Sequence, residues 1–209
     1  MKKLSRIATC SFSVLAALFV SSCVSTTPVA YQADSAHPIR TIAIARNIEM
    51  PTKMLFYGFS QMMLAGLAGG VSGGGGYVST GEAVGSRPAL DYYEVPQSLR
   101  AAVGEELAKT GKFKVVSSGP ADAELQIKVT VYGFYQAGIY ARRVRPSLAA
   151  ETQLVRRDGT IVLKKLVGDD GKAPATLPEK IREDRKIGVE GLRVAARVVA
   201  RRIAEALTQ

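Results

Sequence analysis

Ala123-Glu124-Leu125-Gln126-Ile127-Lys128-Val129-Thr130-Val131-Tyr132-Gly133-Phe134-Tyr135 is the stretch on which the fold turns. Leu125, Ile127, Val129 and Val131 alternate with Gln126, Lys128, Thr130 and Tyr132. Successive side chains of a strand point to opposite faces, so the pattern predicts one long strand with an apolar face and a polar face. An apolar sheet face has to be covered, and the flanking sequence supplies the cover. On one side, Leu99, Ala102, Val103, Glu106 and Leu107 share a mostly apolar helical face, with Pro96 suited to the first turn and Gly111 to the C′ stop. On the other, Val189, Leu192, Ala196, Val199, Ile203 and Leu207 form an apolar stripe over the last 30 residues. Arg193, Arg197 and Arg201 run beside that stripe as a solvated face.

Shorter strand signals complete the set. Ile39 to Ala45 is a β-branched run, and Phe113 to Val116 is a short one. Ser147 to Arg156 places Leu148, Ala150, Thr152 and Leu154 on one side. Arg157-Asp158-Gly159-Thr160 is a hairpin signal, with Ile161 to Leu166 as the return strand and a polar loop from Gly168 to Pro178. The order predicts an α+β domain over residues 39–209: a mixed or antiparallel sheet of about four to five strands with two helices on one face.

The chain opens Met1-Lys2-Lys3-Leu4-Ser5-Arg6, followed by an uncharged stretch from Ile7 to Val20. Charge and then a short apolar run are the first two parts of a secretory signal, and the run falls short of the roughly 20 apolar residues that span a bilayer. Val20-Ser21-Ser22-Cys23 follows and resembles the bacterial lipobox. The resemblance implies a signal peptide over residues 1–22, diacylglycerol on the Cys23 thiol, and cleavage before it. Residue 24 is Val and not Asp, which by the same resemblance favours the outer membrane of a Gram-negative envelope, on its periplasmic side. Residues 23–38 then read as a lipidated flexible tether, small, polar and bounded by Pro38.

Removing 22 of 209 residues leaves 187, enough for one domain with a core. The signal carries three of 28 basic residues and none of the 18 acidic ones, so the mature charge is 25 − 18 = +7. On an exported protein that charge points away from nucleic acid and towards lipid headgroups, anionic glycans or acidic envelope proteins. Cys10 lies in the signal and Cys23 is acylated, which excludes disulfides, thiol nucleophiles and cysteine zinc sites from the mature chain.

The elements also resemble a broad group of envelope lipoproteins. These are the curli-export, penicillin-binding-protein-activator and PelC-type exopolysaccharide-export lipoproteins. The likeness is carried by the strand over 39–45, by the helix leading into Thr110-Gly111-Lys112-Phe113-Lys114-Val115-Val116, and by Ala121-Asp122-Ala123-Glu124-Leu125-Gln126-Ile127. The lipopolysaccharide-assembly lipoprotein has a similar two-helix layout. These resemblances imply non-enzymatic domains that often oligomerise and serve export, assembly or wall-synthesis machines.

Catalytic constellations are scarce. His37 is the sole histidine and sits in the tether, which excludes multi-His metal sites and His-based triads. No cofactor and no metal is expected. The Gly-rich run over 66–76 lacks both G-x-x-x-x-G-K-[ST] and G-x-G-x-x-G, so it is no phosphate loop. Asp169-Asp170-Gly171 lacks the spaced oxygen ligands of a calcium loop and reads as a turn. Glu105-Glu106 reads as a solvated helical edge.

Two features point to partners. Residues 54–81 are uncharged, with small residues at four-residue spacing (Gly66/Gly70, Gly69/Gly73). That suits a membrane-inserted or interface element, or a loop folded over the domain's own core. Tyr135, Tyr140, Arg142, Arg143 and Arg145 combine aromatic faces with forked cations, suited to sugars, phosphates and carboxylates. The expectation is an accessory protein that binds and assembles, anchored to the membrane by its N-terminal lipid, with homo-oligomerisation open. The alternative is a periplasmic carrier of lipid or anionic glycan.

Overall fold

The computed structural model describes residues 27–31, 34–51, 54–57, 94–117, 119–137 and 141–208. The signal peptide, Cys23, Tyr140 and most of the 54–81 segment lie outside the described residues. The elements are β1 (Thr41–Ile44), β2 (Leu55–Tyr57), α1 (Glu94–Thr110), β3 (Lys114–Val116), β4 (Ala123–Gln136), β5 (Val144–Arg156), β6 (Ile161–Gly168), α2 (Pro178–Glu183) and α3 (Arg185–Ala206). The strands form one mixed sheet in the order β3-β1-β4-β5-β6, with the short β2 also on β4. β1 is parallel to β3 and β4, β2 is parallel to β4, and β4, β5 and β6 are antiparallel in sequence. The α+β reading therefore stands, and the parallel pairs are the part that strand patterning cannot show.

One face of the sheet builds the core. Leu125 pairs with Leu154, Ile127 with Thr152 and Val129 with Ala150, and all six are buried. Against them pack Leu99, Val103 and Leu107 of α1 and Leu192, Ala196, Val199 and Ile203 of α3. Buried Thr152 keeps its hydroxyl satisfied by donating to the Lys165 carbonyl at 3.1 Å. Gly111 stops α1 at φ 64°, a conformation that glycine adopts at little cost. The last 30 residues are not one helix: the chain breaks at Asp184, whose carboxylate accepts the Lys186 N–H at 2.9 Å and caps α3.

Two parts of the sequence reading change. The first concerns β4. Simple alternation places Val131 with the buried set and Tyr132 opposite. In the structure Tyr132 is fully buried and Val131 only partly so. The pairing shifts between Val129 and Val131: Val129 faces Ala150 while Val131 faces the very next residue, Ala149. Thr130 is the extra residue of a β-bulge, and one extra residue exchanges the two faces of everything beyond it. Beyond the bulge Tyr132 and Phe134 are the inward side chains.

The second concerns the tether. Its described residues are docked. Val29 exchanges both backbone hydrogen bonds with Lys164 at 2.8 and 2.9 Å, covering the free edge of β6. Tyr31 packs edge-on against Phe113 with ring centroids 6.3 Å apart. The His37 carbonyl accepts from Arg156 Nη1 at 2.7 Å. A sheet edge left bare carries unpaired donors and acceptors, and this bridge satisfies the pair at Lys164.

Gly191 is where α3 comes close to the sheet. A Cβ there would meet Pro146 and Phe134 at 3.5–3.6 Å, which is ordinary contact. Gly191→Ala is therefore expected to be neutral or stabilising by up to about 1 kcal/mol, the helix-propensity difference. Gly191→Leu has no room and is expected to lose about 1–3 kcal/mol. Urea unfolding of the two variants checks both signs.

Candidate functional site

The sheet has two ends. At one, the β5–β6 hairpin turns through Asp158. At the other lie the β4–β5 turn, the loop from β6 to α2 and the start of α3. Of the expected binding residues, Tyr135, Arg142, Arg143 and Arg145 belong to this second end. The chain also leaves the described residues at Tyr57, whose strand pairs with Tyr135, and re-enters them at Glu94, which Arg193 of α3 holds at 3.0 Å.

Tyr135 and Arg145 face each other across β4 and β5. Arg145 Nη1 donates to the Gly171 carbonyl at 2.7 Å. Gly171 has φ 64°, and a Cβ on it would lie 2.7 Å from the Tyr135 hydroxyl. Glycine suits the position, since the backbone angle strains other residues and a Cβ would have to displace the Tyr135 hydroxyl. Tyr135 and Arg145 therefore hold the 169–171 loop against the sheet. Asp169 completes the clasp: its carboxylate accepts from Leu148 N–H at 2.6 Å and Gly171 N–H at 2.8 Å. Asp170 accepts the Lys172 N–H at 3.1 Å, and this bond, with the Lys172 charge, lowers its pKa. Both carboxylates are engaged by the turn they sit in, in line with a surface turn.

Arg142 and Arg143 stand apart from this clasp. Both are exposed, on a turn closed by the Ala137 N–H donating to the Arg143 carbonyl at 3.1 Å and by the Gln136 amide donating to the Ala141 carbonyl. The five expected residues thus divide: Tyr135 and Arg145 build the end of the sheet, Arg142 and Arg143 decorate it, and Tyr140 lies outside the described residues. Composition could not separate them, because the division depends on the return of the 169–171 loop from another part of the chain.

Elsewhere the charged groups pair on the surface. Arg193 lies 3.3 Å from Glu190, and Glu106 lies 2.6 Å from Lys109. Exposed pairs of this kind contribute about 0–1 kcal/mol. His37 is exposed, with Nδ1 3.2 Å from Asp34. Among the described residues no three His, Cys, Asp or Glu side chains gather as a metal site. Among the described residues, too, no helix is long and apolar enough to cross a membrane.

One clamp was not singled out in the sequence. The Asp122 carboxylate accepts from the Arg40 and Thr41 N–H groups at 2.9 and 2.8 Å, and the Asp122 N–H donates to the Thr41 hydroxyl at 2.9 Å. These bonds join the starts of β1 and β4 and hold the Asp122 carboxyl below its ordinary pKa of 3.8. A carboxyl depressed in the folded state stabilises the fold above its unfolded pKa, and the stabilisation is lost as pH falls through the folded value. Asp122→Asn is therefore expected to lower stability at neutral pH and to flatten its fall below about pH 4. Urea unfolding at neutral pH and at about pH 3 checks both parts.

No protein-family model matches the chain, and no curated protein matches it. Solved structures resemble it in chain trace. Protein XCC0632 from Xanthomonas campestris, of family model DUF330, has a TM-score of 0.46 at 13% identity, covering 84% of this chain and 89% of that one. A PelC dodecamer from Paraburkholderia phytofirmans has a TM-score of 0.43 at 10% identity, covering 87% and 94%. A minor lipoprotein from Acinetobacter baumannii has a TM-score of 0.42 at 10% identity, covering 81% and 93%.

Proposed function

We propose that this chain is a lipid-anchored accessory protein of the Gram-negative envelope, on the periplasmic face of the outer membrane. It acts by binding and assembly within an export, assembly or wall-associated complex, and not by turnover. The observation that carries the reading is the order of the N-terminus: three cations, the uncharged stretch from Ile7 to Val20, two serines and Cys23, directly ahead of the domain. Two acyl chains or more hold a protein on a bilayer where one does not, at about 0.8 kcal/mol per buried CH₂. Arg142 and Arg143 are exposed at their end of the sheet, and their guanidinium groups are not engaged by other described residues. That supports an anionic or carboxylate-bearing partner.

The competing reading is a carrier of lipid or anionic glycan. Native mass spectrometry of the detergent-extracted protein separates the two. A complex with envelope proteins or with further copies of the chain, free of bound lipid beyond the anchor, is the expected result. A monomer that retains a stoichiometric extra lipid or glycan would overturn the assembly reading.

A further inference from the structure

We infer that the segment around Val29 is a releasable strap, and that the β6 edge beneath it also takes the same segment of a second copy of the chain. The inference goes beyond the reading above and does not depend on its anchor. Described residues build the seat. Val29 and Lys164 face each other as an antiparallel pair and exchange both backbone hydrogen bonds, at 2.8 and 2.9 Å. Lys164 is buried there, with Nζ 3.4 Å from Glu151.

The hold is light. Thr27, Pro28 and Ala30 are exposed, and Val29 keeps 39% of its surface in solvent. Tyr31, half-buried against Phe113, is an apolar anchor, and the buried core begins only at Ile39. A segment with so little buried surface opens without unfolding the sheet.

Opening bares an edge suited to accept a strand. In an antiparallel ladder, alternate residues turn their backbone groups to the same side. Leu166 therefore presents its N–H and C=O outward as Lys164 does, and it is 65% exposed. Ile161, on the other side of the seat, is 43% exposed. Among the described residues these are the two most exposed large apolar side chains. Such an edge pairs readily with an extended strand from another chain. The occupant is set by what already fits: Thr27-Pro28-Val29-Ala30-Tyr31, which every copy carries. Exchange remakes between two copies the contacts that one copy makes alone, so it costs little once the copies are close. Each copy then fills the other's seat, with Ile161 and Leu166 beside the join.

The test mixes two single variants of the full chain, Val29→Cys and Lys164→Cys, at high protein concentration under mild oxidation. Facing residues of such an antiparallel pair lie about 5.5 Å apart at Cα, within disulfide reach. The two new thiols sit on different chains, so a disulfide between positions 29 and 164 reports exchange alone. Mass spectrometry of the linked peptides separates it from any link through Cys10 or Cys23. The expected yield is several-fold above that of Val29→Cys mixed with Asp158→Cys, an exposed turn position, and rises with protein concentration. No link between 29 and 164, or no more than between 29 and 158, overturns the inference when the variants keep the circular dichroism of the unsubstituted chain. Amide hydrogen exchange of the unsubstituted chain tests the strap without any variant. The Lys164 N–H, which donates to the Val29 carbonyl, is expected to exchange about tenfold or more faster than the Leu154 N–H within β5. Equal rates would mean that the strap opens only with the whole domain, which also overturns the inference.

Discussion

Tyr132→Ala is expected to destabilise the domain by about 3–5 kcal/mol, the range for removing a large aromatic from a closed core. Val131→Ala, one residue earlier, is expected to lose less than about 1.5 kcal/mol, as for a small deletion at a partly buried site. The contrast is diagnostic because strict alternation predicts the reverse. Tyr132 is fully buried while Val131 keeps part of its surface in solvent. The exchange of faces comes from the register shift between Val129 and Val131. Tyr132→Phe keeps the volume and is expected to fall well below the alanine value. Equilibrium urea unfolding of the three variants measures all of this. A larger loss for Val131→Ala than for Tyr132→Ala would mean that β4 has no bulge.

The bulge also marks where the sequence stops being sufficient. Up to Val129, a strict two-residue period fixes which side is buried, and Leu125, Ile127 and Val129 are all inside. From Val131 to Phe134 the residues are three large apolar ones and a glycine, and either face could be the inner one. The long helices were legible for the same reason as the first half of β4: Leu192, Ala196, Val199 and Ile203 repeat at helical spacing and are buried. The parallel pairing of β1 with β3 and β4 was not, because pairing partners are distant in sequence and leave no local pattern. The docking of Val29 and Tyr31 was hidden by a polar composition around them. At the Arg142 end, sequence grouped Arg145, which bonds the Gly171 carbonyl, with Arg142 and Arg143, which are exposed.

Cys23→Ser is expected to remove the protein from the outer-membrane fraction, the largest functional effect of any single change. A hydroxyl cannot replace the thiol in the thioether that carries the diacylglycerol, so the acyl chains and the processing that follows them are both lost. The core starts at Ile39, so the thermal unfolding of the domain should not change. Subcellular fractionation with circular dichroism of the purified variant checks both halves. Retention in the inner membrane, held by the uncut Ile7–Val20 segment, would still show that processing requires Cys23. Retention in the outer membrane would assign the anchor to another part of the chain, with the uncharged 54–81 segment first in line.

The most direct measurement is the mass of the N-terminal peptide of the protein extracted from membranes. The expected product is a chain that starts at Cys23 and carries a diacylglycerol adduct, with or without a further acyl group on the new amine. A chain that still begins at Met1, or one cut elsewhere with an unmodified Cys23 thiol, would contradict it.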